Sequence, residues 1–292
     1  MVTGPVAVAT ARALAYPDAD MAPLLGALDR AGVSARPVAW DDPVVDWAAF
    51  SLVVIRSTWD YIGRRDEFVD WARSVPRLAN PATVVEWNTD KRYLADVAAA
   101  GVPVPPTAWV APGERAEFPA GPFVVKPSVS SGSQGSARYR GAEPDGDAAR
   151  AHLAQLHAAG RTAMVQPYLG AVDEAGETAL VFVAGRLSHA VGKGPMLVVG
   201  RAPGDAEHQA VGPRRPTADQ VAVATQALRT VPGVADPSTL LYARVDLLPG
   251  DDGRPVVLEL ELTEPSLFLA ADPGSADRLA GAVSVRAGAT GD

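Results

Sequence analysis

Two parts of the chain carry chemistry that fits together. Phe123-Val-Val-Lys-Pro127 ends an apolar run on Lys126, directly before the small-residue stretch Ser128-Val-Ser-Ser-Gly-Ser-Gln-Gly135. Leu241-Tyr-Ala-Arg-Val-Asp246 and Val257-Leu-Glu-Leu-Glu261 bring Arg244 and three carboxylates, Asp246, Glu259 and Glu261, into two neighbouring segments. A cation beside such a loop suits a polyphosphate, because backbone N–H groups of small residues can approach phosphate oxygens closely. Clustered carboxylates suit Mg²⁺, which takes hard oxygen ligands and shares its shell with substrate phosphates. Each feature has an ordinary alternative, a solvated loop lysine in one case and the wet face of an antiparallel sheet in the other. Two glutamates between leucines in a strand are unusual, because glutamate is a poor strand former, and both readings of this segment stay open.

Particular elements must position these groups. Gly250-Asp-Asp-Gly253 separates the strand patterns Leu240–Leu248 and Pro255–Thr263, which reads as a hairpin. Strand alternation puts Leu258, Leu260 and Leu262 on one face and Glu259 and Glu261 on the other, while Arg244 and Asp246 share a face. The hairpin therefore lets the three carboxylates converge. Upstream, Val6–Thr10, Ala35–Trp40 and Leu52–Arg56 read as strands, with a helical stripe at Met21, Leu24, Leu25 and Leu28 that stops at Gly32. That order predicts a small α/β domain with a parallel sheet, whose ligands sit beyond the carboxyl ends of the strands, where Arg56, Ser57, Thr58, Trp59 and Tyr61 follow.

Further along, Asp90–Ala100 predicts a helix closed by Gly101, and the proline-rich Val102–Thr107 an extended connection. A helix is predicted over Asp147–Ala159, a strand over Thr162–Gln166, and a hairpin of Glu177–Ala184 with Leu187–Val191. Thr217-x-x-Gln220 is a capping-box pattern opening a helix to about Val231, and a last helix is expected over Ala276–Val285, before a frayed tail. Of four histidines, His152 and His157 are expected at the surface of a polar helix, His189 lies on a strand, and His208 has no assigned role. No zinc motif, Walker A loop or G-x-S-x-G elbow occurs.

The composition is that of a folded protein: 292 residues, 48% hydrophobic. The length suggests about two domains. A net charge of −8 argues against nucleic-acid and anionic-membrane partners, and the lack of cysteine excludes disulfides, thiolate metal sites and a cysteine nucleophile. With neither a signal-peptide pattern nor a long apolar run, the expected setting is cytoplasmic.

In chain order, Lys91, Phe-Val-Val-Lys126-Pro, the Ser/Gly loop, Val-Gln166-Pro-Tyr-Leu169, Gly-Glu177, Arg244-Val-Asp246 and Leu-Glu259-Leu-Glu261 resemble the ATP-grasp superfamily over about residues 86–270. The resemblance implies an α/β (α+β) architecture: a Rossmann-like domain at 1–85, a central ATP-grasp subdomain at 86–165 and a C-terminal subdomain at 166–292, the last two enclosing ATP. It implies phosphate contacts from Lys91 and Lys126, and a phosphate-covering loop of Ser130, Ser131, Gly132, Ser133, Gln134 and Gly135. It also implies adenine contacts along Gln166, Pro167, Tyr168 and Leu169, a ribose contact from Glu177, and Mg²⁺ (or Mn²⁺) on Asp246, Glu259 and Glu261. Arg244 would steady the transferring phosphate. Glu261 departs from the pattern, since the family usually has asparagine there.

A narrower resemblance runs through Arg56–Tyr61, Asp90–Asp96, Ser188–Gly194, Leu241–Leu247 and Leu258–Leu269. These stretches look like the O-ureido-D-serine cyclo-ligases of D-cycloserine biosynthesis. The expected partner is a small amino-acid-like substrate, with Arg56, Lys193, Arg244 and Glu264 as candidates for its charged ends, and a homodimer is possible. An intermolecular amino-acid or peptide ligase, a nucleotide-binding regulator without turnover and a hydroxyl kinase stay open as alternatives.

Overall fold

The computed structural model describes residues 4–200 and 211–288, so His208 and most of the expected tail lie outside the described residues. Three sheets organise the described residues. The first is parallel, ordered β2-β1-β3-β4 from β1 (Val6–Thr10), β2 (Ala35–Ala39), β3 (Leu52–Ile55) and β4 (Leu78–Ala79). Its central strands β1 and β3 are near-continuous Val, Ala, Ile and Leu, as a sheet covered on both faces requires, while the edge strand β2 exposes Arg36 and Pro37. Helix α1 (Met21–Arg30) packs Leu24, Ala27 and Leu28 onto one face. Helix α2 (Arg65–Ser74) packs Phe68, Trp71 and Ala72 onto the other. This helix and α3 (Ala82–Asn88) were not among the expected elements, although Phe68, Val69, Trp71 and Ala72 carry a helical stripe.

After α4 (Tyr93–Ala99), the second sheet is antiparallel, ordered β5-β8-β6-β7 from β5 (Ala108–Val110), β6 (Phe123–Pro127), β7 (Ala137–Tyr139) and β8 (Ala163–Pro167). The three-residue strands β5 and β7 are too short to show a period in the sequence. Helix α5 (Ala142–Ala158) covers this sheet and starts earlier than the expected Asp147. Pro144 falls in its first turn, where the missing N–H has no intrahelical partner to lose. His152 corrects a second expectation: it is buried, with its Nδ1 facing the Tyr139 hydroxyl at 3.0 Å and its Nε2 donating to the Gly135 carbonyl at 3.0 Å.

The short α6 (Val172–Ala175) leads into the third sheet, ordered β11-β10-β9-β12-β13 and antiparallel throughout. Its strands are β9 (Glu177–Val183), β10 (Arg186–Lys193), β11 (Val211–Pro213), β12 (Tyr242–Pro249) and β13 (Pro255–Glu261). Ala184 and Gly185 join β9 to β10 with φ of 46° and 72°, the paired left-handed geometry of a two-residue hairpin. The predicted capping box forms at Thr217 and Gln220 and opens α7 (Ala218–Leu228), which buries Ala224, Ala227 and Leu228 against this sheet. Helix α8 (Ser275–Gly288) returns to the first sheet, placing Leu279, Ala280 and Val283 in one core with Leu24, Val54 and Val181.

Candidate active site

The β12–β13 hairpin forms, and its register sets Arg244 opposite Glu261 and Asp246 opposite Glu259. A register shift follows Asp246, so that Leu247 pairs with Val257 and Leu258 is passed over. The bulge corrects the expected alternation. Leu260 and Leu262 enter the core with α4 and α7, whereas Leu258 joins Leu169, Val172 and Leu248 in a separate apolar group beside the cavity.

Asp246, Glu259 and Glu261 each offer an oxygen, all within 4.8 Å of one another. This donor set fits Mg²⁺ or Mn²⁺, both of which take carboxylate oxygens. Cations hold the same carboxylates from several sides. Lys193 Nζ lies 2.6 Å from both Asp246 Oδ2 and Glu177 Oε2. Arg244 meets both oxygens of Asp246 through Nε at 2.8 Å and Nη2 at 3.0 Å, and also pairs with Glu261. Lys126 and Lys91 stand 3.7 Å and 3.8 Å from one oxygen of Glu259, too far for a tight hydrogen bond.

The electrostatics follow from this crowding. Burial opposes the charge of Glu259, but Lys91, Lys126 and Lys193 outweigh it and hold its carboxyl down at about 2. Burial pushes Glu261 up to about 8; Arg244 pulls it down, and Asp246, Glu259 and Glu264 add repulsion. Asp246 is likewise penalised by burial, yet Arg244 and Lys193 bring it below the ordinary carboxylate value. Burial lowers the Lys126 ammonium against the attraction of Glu259. The site is a dense, nearly balanced lattice of charge shaped to receive both a polyanion and a cation.

A cavity of about 290 Å³ opens over these groups, between the second and third sheets and under the carboxyl end of the first. It is lined by Lys91, Lys126, Lys193, Arg244, Asp246, Glu177, Glu259, Glu261 and Glu264, by Ser130 to Ser133, and by Gln166 to Leu169. At one end Leu248, Leu258, Val172, Leu169 and Val124 form an apolar slot, suited to a flat heteroaromatic ring. The Gln166 amide is engaged with Thr107 Oγ1 at 2.8 Å. Lys91 Nζ donates to the Ser130 carbonyl at 2.8 Å, which ties it to the loop. Gly132, Ser133 and Gly135 hold φ of 58°, 60° and 71°, the left-handed geometry by which this loop folds tightly. Gln134 and Gly135 do not line this cavity: Gln134 faces a neighbouring one and Gly135 anchors His152.

Arg56 needs correction. It is fully buried and does not line the cavity. Its guanidinium donates to Asp20 at 3.1 Å and to the Pro265 carbonyl at 2.6 Å, with Asp18 at 3.4 Å. Asp20 in turn accepts the backbone N–H groups of Leu267, Phe268 and Leu269. Arg56 thus fastens the first sheet to the segment that carries Glu264, Ser266 and Phe268 into the cavity. Substrate contact is barred because its side chain is enclosed by its own chain.

Sequence reasoning missed several lining residues, among them Tyr16, Asn88, Tyr93, Leu248 and Phe268. Tyr93 and Asn88 bind β13 directly: the Tyr93 hydroxyl accepts the Leu260 N–H at 2.9 Å, and the Asn88 amide donates to the Leu260 carbonyl at 2.6 Å. Nothing local marks such a role. Glu264 sits in an aromatic corner, where the Tyr61 hydroxyl faces its carboxylate and Trp59 Nε1 donates to its carbonyl at 3.0 Å. Burial raises its pKa.

Two antiparallel sheets flanking one cavity, two lysines beside a Ser/Gly loop and a carboxylate hairpin form the pattern of an ATP-grasp ligase. The fold comparisons agree: D-alanine–D-alanine ligase from Bacillus anthracis, solved with ATP, matches at a TM-score of 0.69 over 98% of this chain and 97% of its own, at 13% identity. The chain belongs, more narrowly, to the DcsG family. It is 42% identical over 289 residues to the cycloserine biosynthesis protein DcsG of Streptomyces lavendulae, covering 92% of this chain and 94% of that one. The crystal structure of D-cycloserine synthetase DcsG matches at a TM-score of 0.86 and 40% identity, over 97% of this chain and all of that one, and the family model for the DcsG N-terminal domain matches residues 6–80. The chain is therefore an ATP-dependent ligase, and no helix among its described residues is long and apolar enough to cross a membrane.

Proposed function

We propose that this ligase activates the carboxylate of a small amino acid as an acylphosphate and closes it on a nitrogen of the same molecule, with O-ureido-D-serine as substrate and D-cycloserine as product. The observation that carries the reading is one cavity lined by Lys91, Lys126 and Ser130 to Ser133, by the carboxylate cluster, and by Glu264 in its aromatic corner. A substrate carboxylate oxygen attacks the γ-phosphorus and ADP leaves. The oxyamino nitrogen then attacks the acyl carbon and phosphate departs with the electron pair of the acyl C–O bond. Water also cleaves the carbamoyl C–N bond at the oxyamino nitrogen: its OH goes to the carbamoyl carbon and its proton to the nitrogen, and the carbamic acid released breaks down to carbon dioxide and ammonia.

In this reading Lys91 and Lys126 bind the phosphates with Ser130 to Ser133, Gln166 to Leu169 border the adenine, and Glu177 faces the ribose side. Asp246, Glu259 and Glu261 are the residues that would hold Mg²⁺, which when bound neutralises charge on the transferring phosphate. Arg244 stands between the carboxylates and the substrate side and steadies the acylphosphate. Lys193 orients Glu177 and Asp246 rather than reaching the substrate, and Glu264 receives the α-ammonium. The protein supplies positioning and charge neutralisation, the main requirements of phosphoryl transfer.

The test is ADP release with a panel of amino acids and ureido-amino acids, with products identified by mass spectrometry. O-ureido-D-serine alone is expected to give ADP and a ring. ADP that appears only when a second amine is supplied, together with an open-chain amide, would replace this reading with an intermolecular ligase.

A further inference from the structure

The acylphosphate of the proposed mechanism is exposed to hydrolysis wherever water can reach it. On the side facing the first domain, one pair of rings stands in the way. Tyr16 and Trp59 stack with ring centroids 4.8 Å apart and planes 24° from parallel. Both rings line the active-site cavity, and both line a second cavity of about 550 Å³ on their other side. That second space is rimmed by exposed residues, Leu14, Gly63, Gln134 and Ala159 among them, so it belongs to solvent.

The pair also joins the two halves of the site. A Cβ built on Gly132 would lie 3.2 Å from the Tyr16 hydroxyl, so the tip of the phosphate loop rests against Tyr16. Trp59 donates through Nε1 to the Glu264 carbonyl at 3.0 Å, so the other ring holds the amino-acid side. The loop is touched from its far side by Met196, whose sulfur lies 3.3 Å from Ser133 Oγ. Tyr16 is itself 45% exposed and sits on a loop between β1 and α1, which no core packing explains.

We propose that Tyr16 is a positioning residue that holds the phosphate loop closed against Trp59 and so partitions the acylphosphate towards the substrate nitrogen and away from water. The proposal rests on the acylphosphate reading above. The competing step it suppresses is simple: water oxygen attacks the acyl carbon and the acyl C–O bond breaks. Phosphate leaves with the electron pair, the water proton passes to solvent, and the starting carboxylate returns. Each such event consumes one ATP with no ring formed.

Two measurements test it on the full-length enzyme. The first is ADP formed per ring with O-ureido-D-serine for the wild type, Tyr16→Ala and Tyr16→Phe. The second is amide hydrogen exchange across residues 128–136 with a non-hydrolysable ATP analogue and Mg²⁺, which needs no turnover. Tyr16→Ala is expected to raise ADP per ring about threefold or more and to speed exchange in the loop, because loop closure is what excludes water. Tyr16→Phe keeps the ring stacked on Trp59 but loses the hydroxyl that meets Gly132, and should fall between wild type and Tyr16→Ala in both. An unchanged ADP-to-ring ratio in Tyr16→Ala, or loop exchange equal to wild type, overturns the proposal. If the wild type releases ADP and forms no ring, the cyclisation reading fails instead, and the exchange result still decides the role of Tyr16.

Discussion

Two clusters of opposite charge lie buried in this molecule, built from the same residue types and serving different ends. In the first, Arg56 meets Asp18, Asp20 and the Pro265 carbonyl, and Asp20 caps three backbone N–H groups. In the second, Lys91, Lys126, Lys193 and Arg244 face Asp246, Glu177, Glu259 and Glu261. Arg56 and Lys126 both sit at or just past the end of an apolar strand, and both were expected to meet ligand. What separates them is the fourth wall. Backbone closes the Arg56 cluster, so its charges are spent on holding segments 264–269 in place. The other cluster opens on a cavity, and its contacts of 3.7 and 3.8 Å between Glu259 and two lysines are loose enough to yield to a phosphate or a metal. A charge at a strand end becomes a ligand contact only where the chain leaves one side of it uncovered.

The largest effect should come from breaking the open cluster. Glu259→Gln removes one charge from the donor set without changing its shape, and turnover is expected to fall about a hundred- to a thousandfold, the scale of losing one preorganised electrostatic group. The fold should survive, since relieving a buried charge among three lysines leaves those lysines facing solvent-filled space. Circular dichroism and steady-state ADP release check both halves. Retained turnover in Glu259→Gln would mean that the open cluster is as structural as the closed one.

Breaking the closed cluster should give the opposite pattern. Arg56→Met leaves Asp18 and Asp20 buried without their cation, and removing one partner of such a pair costs about 3–5 kcal/mol. The expected result is a clear drop in Tm with a raised amino-acid KM, because segment 264–269 loses its tether, while the ATP KM changes little. A thermal melt and a comparison of the two KM values read it. A variant with wild-type Tm, or one that loses ATP affinity alone, would put Arg56 back at the substrate.

The same contrast explains what could be read from the sequence. The carboxylate hairpin was legible because its logic is local: alternation plus a short turn places Asp246, Glu259 and Glu261 together. The Lys126 strand and Ser/Gly loop were legible for the same reason. Arg56 was misread because its partners lie 36 and 209 residues away, and no spacing rule reports which side of a strand end is covered. Leu258 was misread because a bulge after Asp246 turns it out of the alternating face, and bulges leave no mark in a pattern of leucines and glutamates. Tyr16 was passed over because it lies in a loop with no period, where only the folded neighbours Trp59 and Gly132 reveal its place.

The smallest effect concerns two buried histidines that brace the edges of these regions. His152 donates to Gly135 at the end of the Ser/Gly loop, and His189 donates through Nε2 to the Leu267 carbonyl at 2.8 Å, on the segment Asp20 caps. Burial lowers both pKa values from the ordinary 6.5, the neighbouring carbonyls offsetting only part of it. The unfolded chain therefore binds more protons than the folded one as pH drops through 6.5. Stability is greatest above that pH and declines towards the lowered folded values. His152→Gln keeps a donor for Gly135 but cannot take up a proton, so its Tm should fall less steeply than wild type as pH drops below 6.5, even if it is slightly lower at neutral pH. His189→Gln should do the same from the substrate side. Parallel Tm-against-pH curves for wild type and both variants would show that neither imidazole resists protonation, and that acid sensitivity resides in the carboxylate clusters instead.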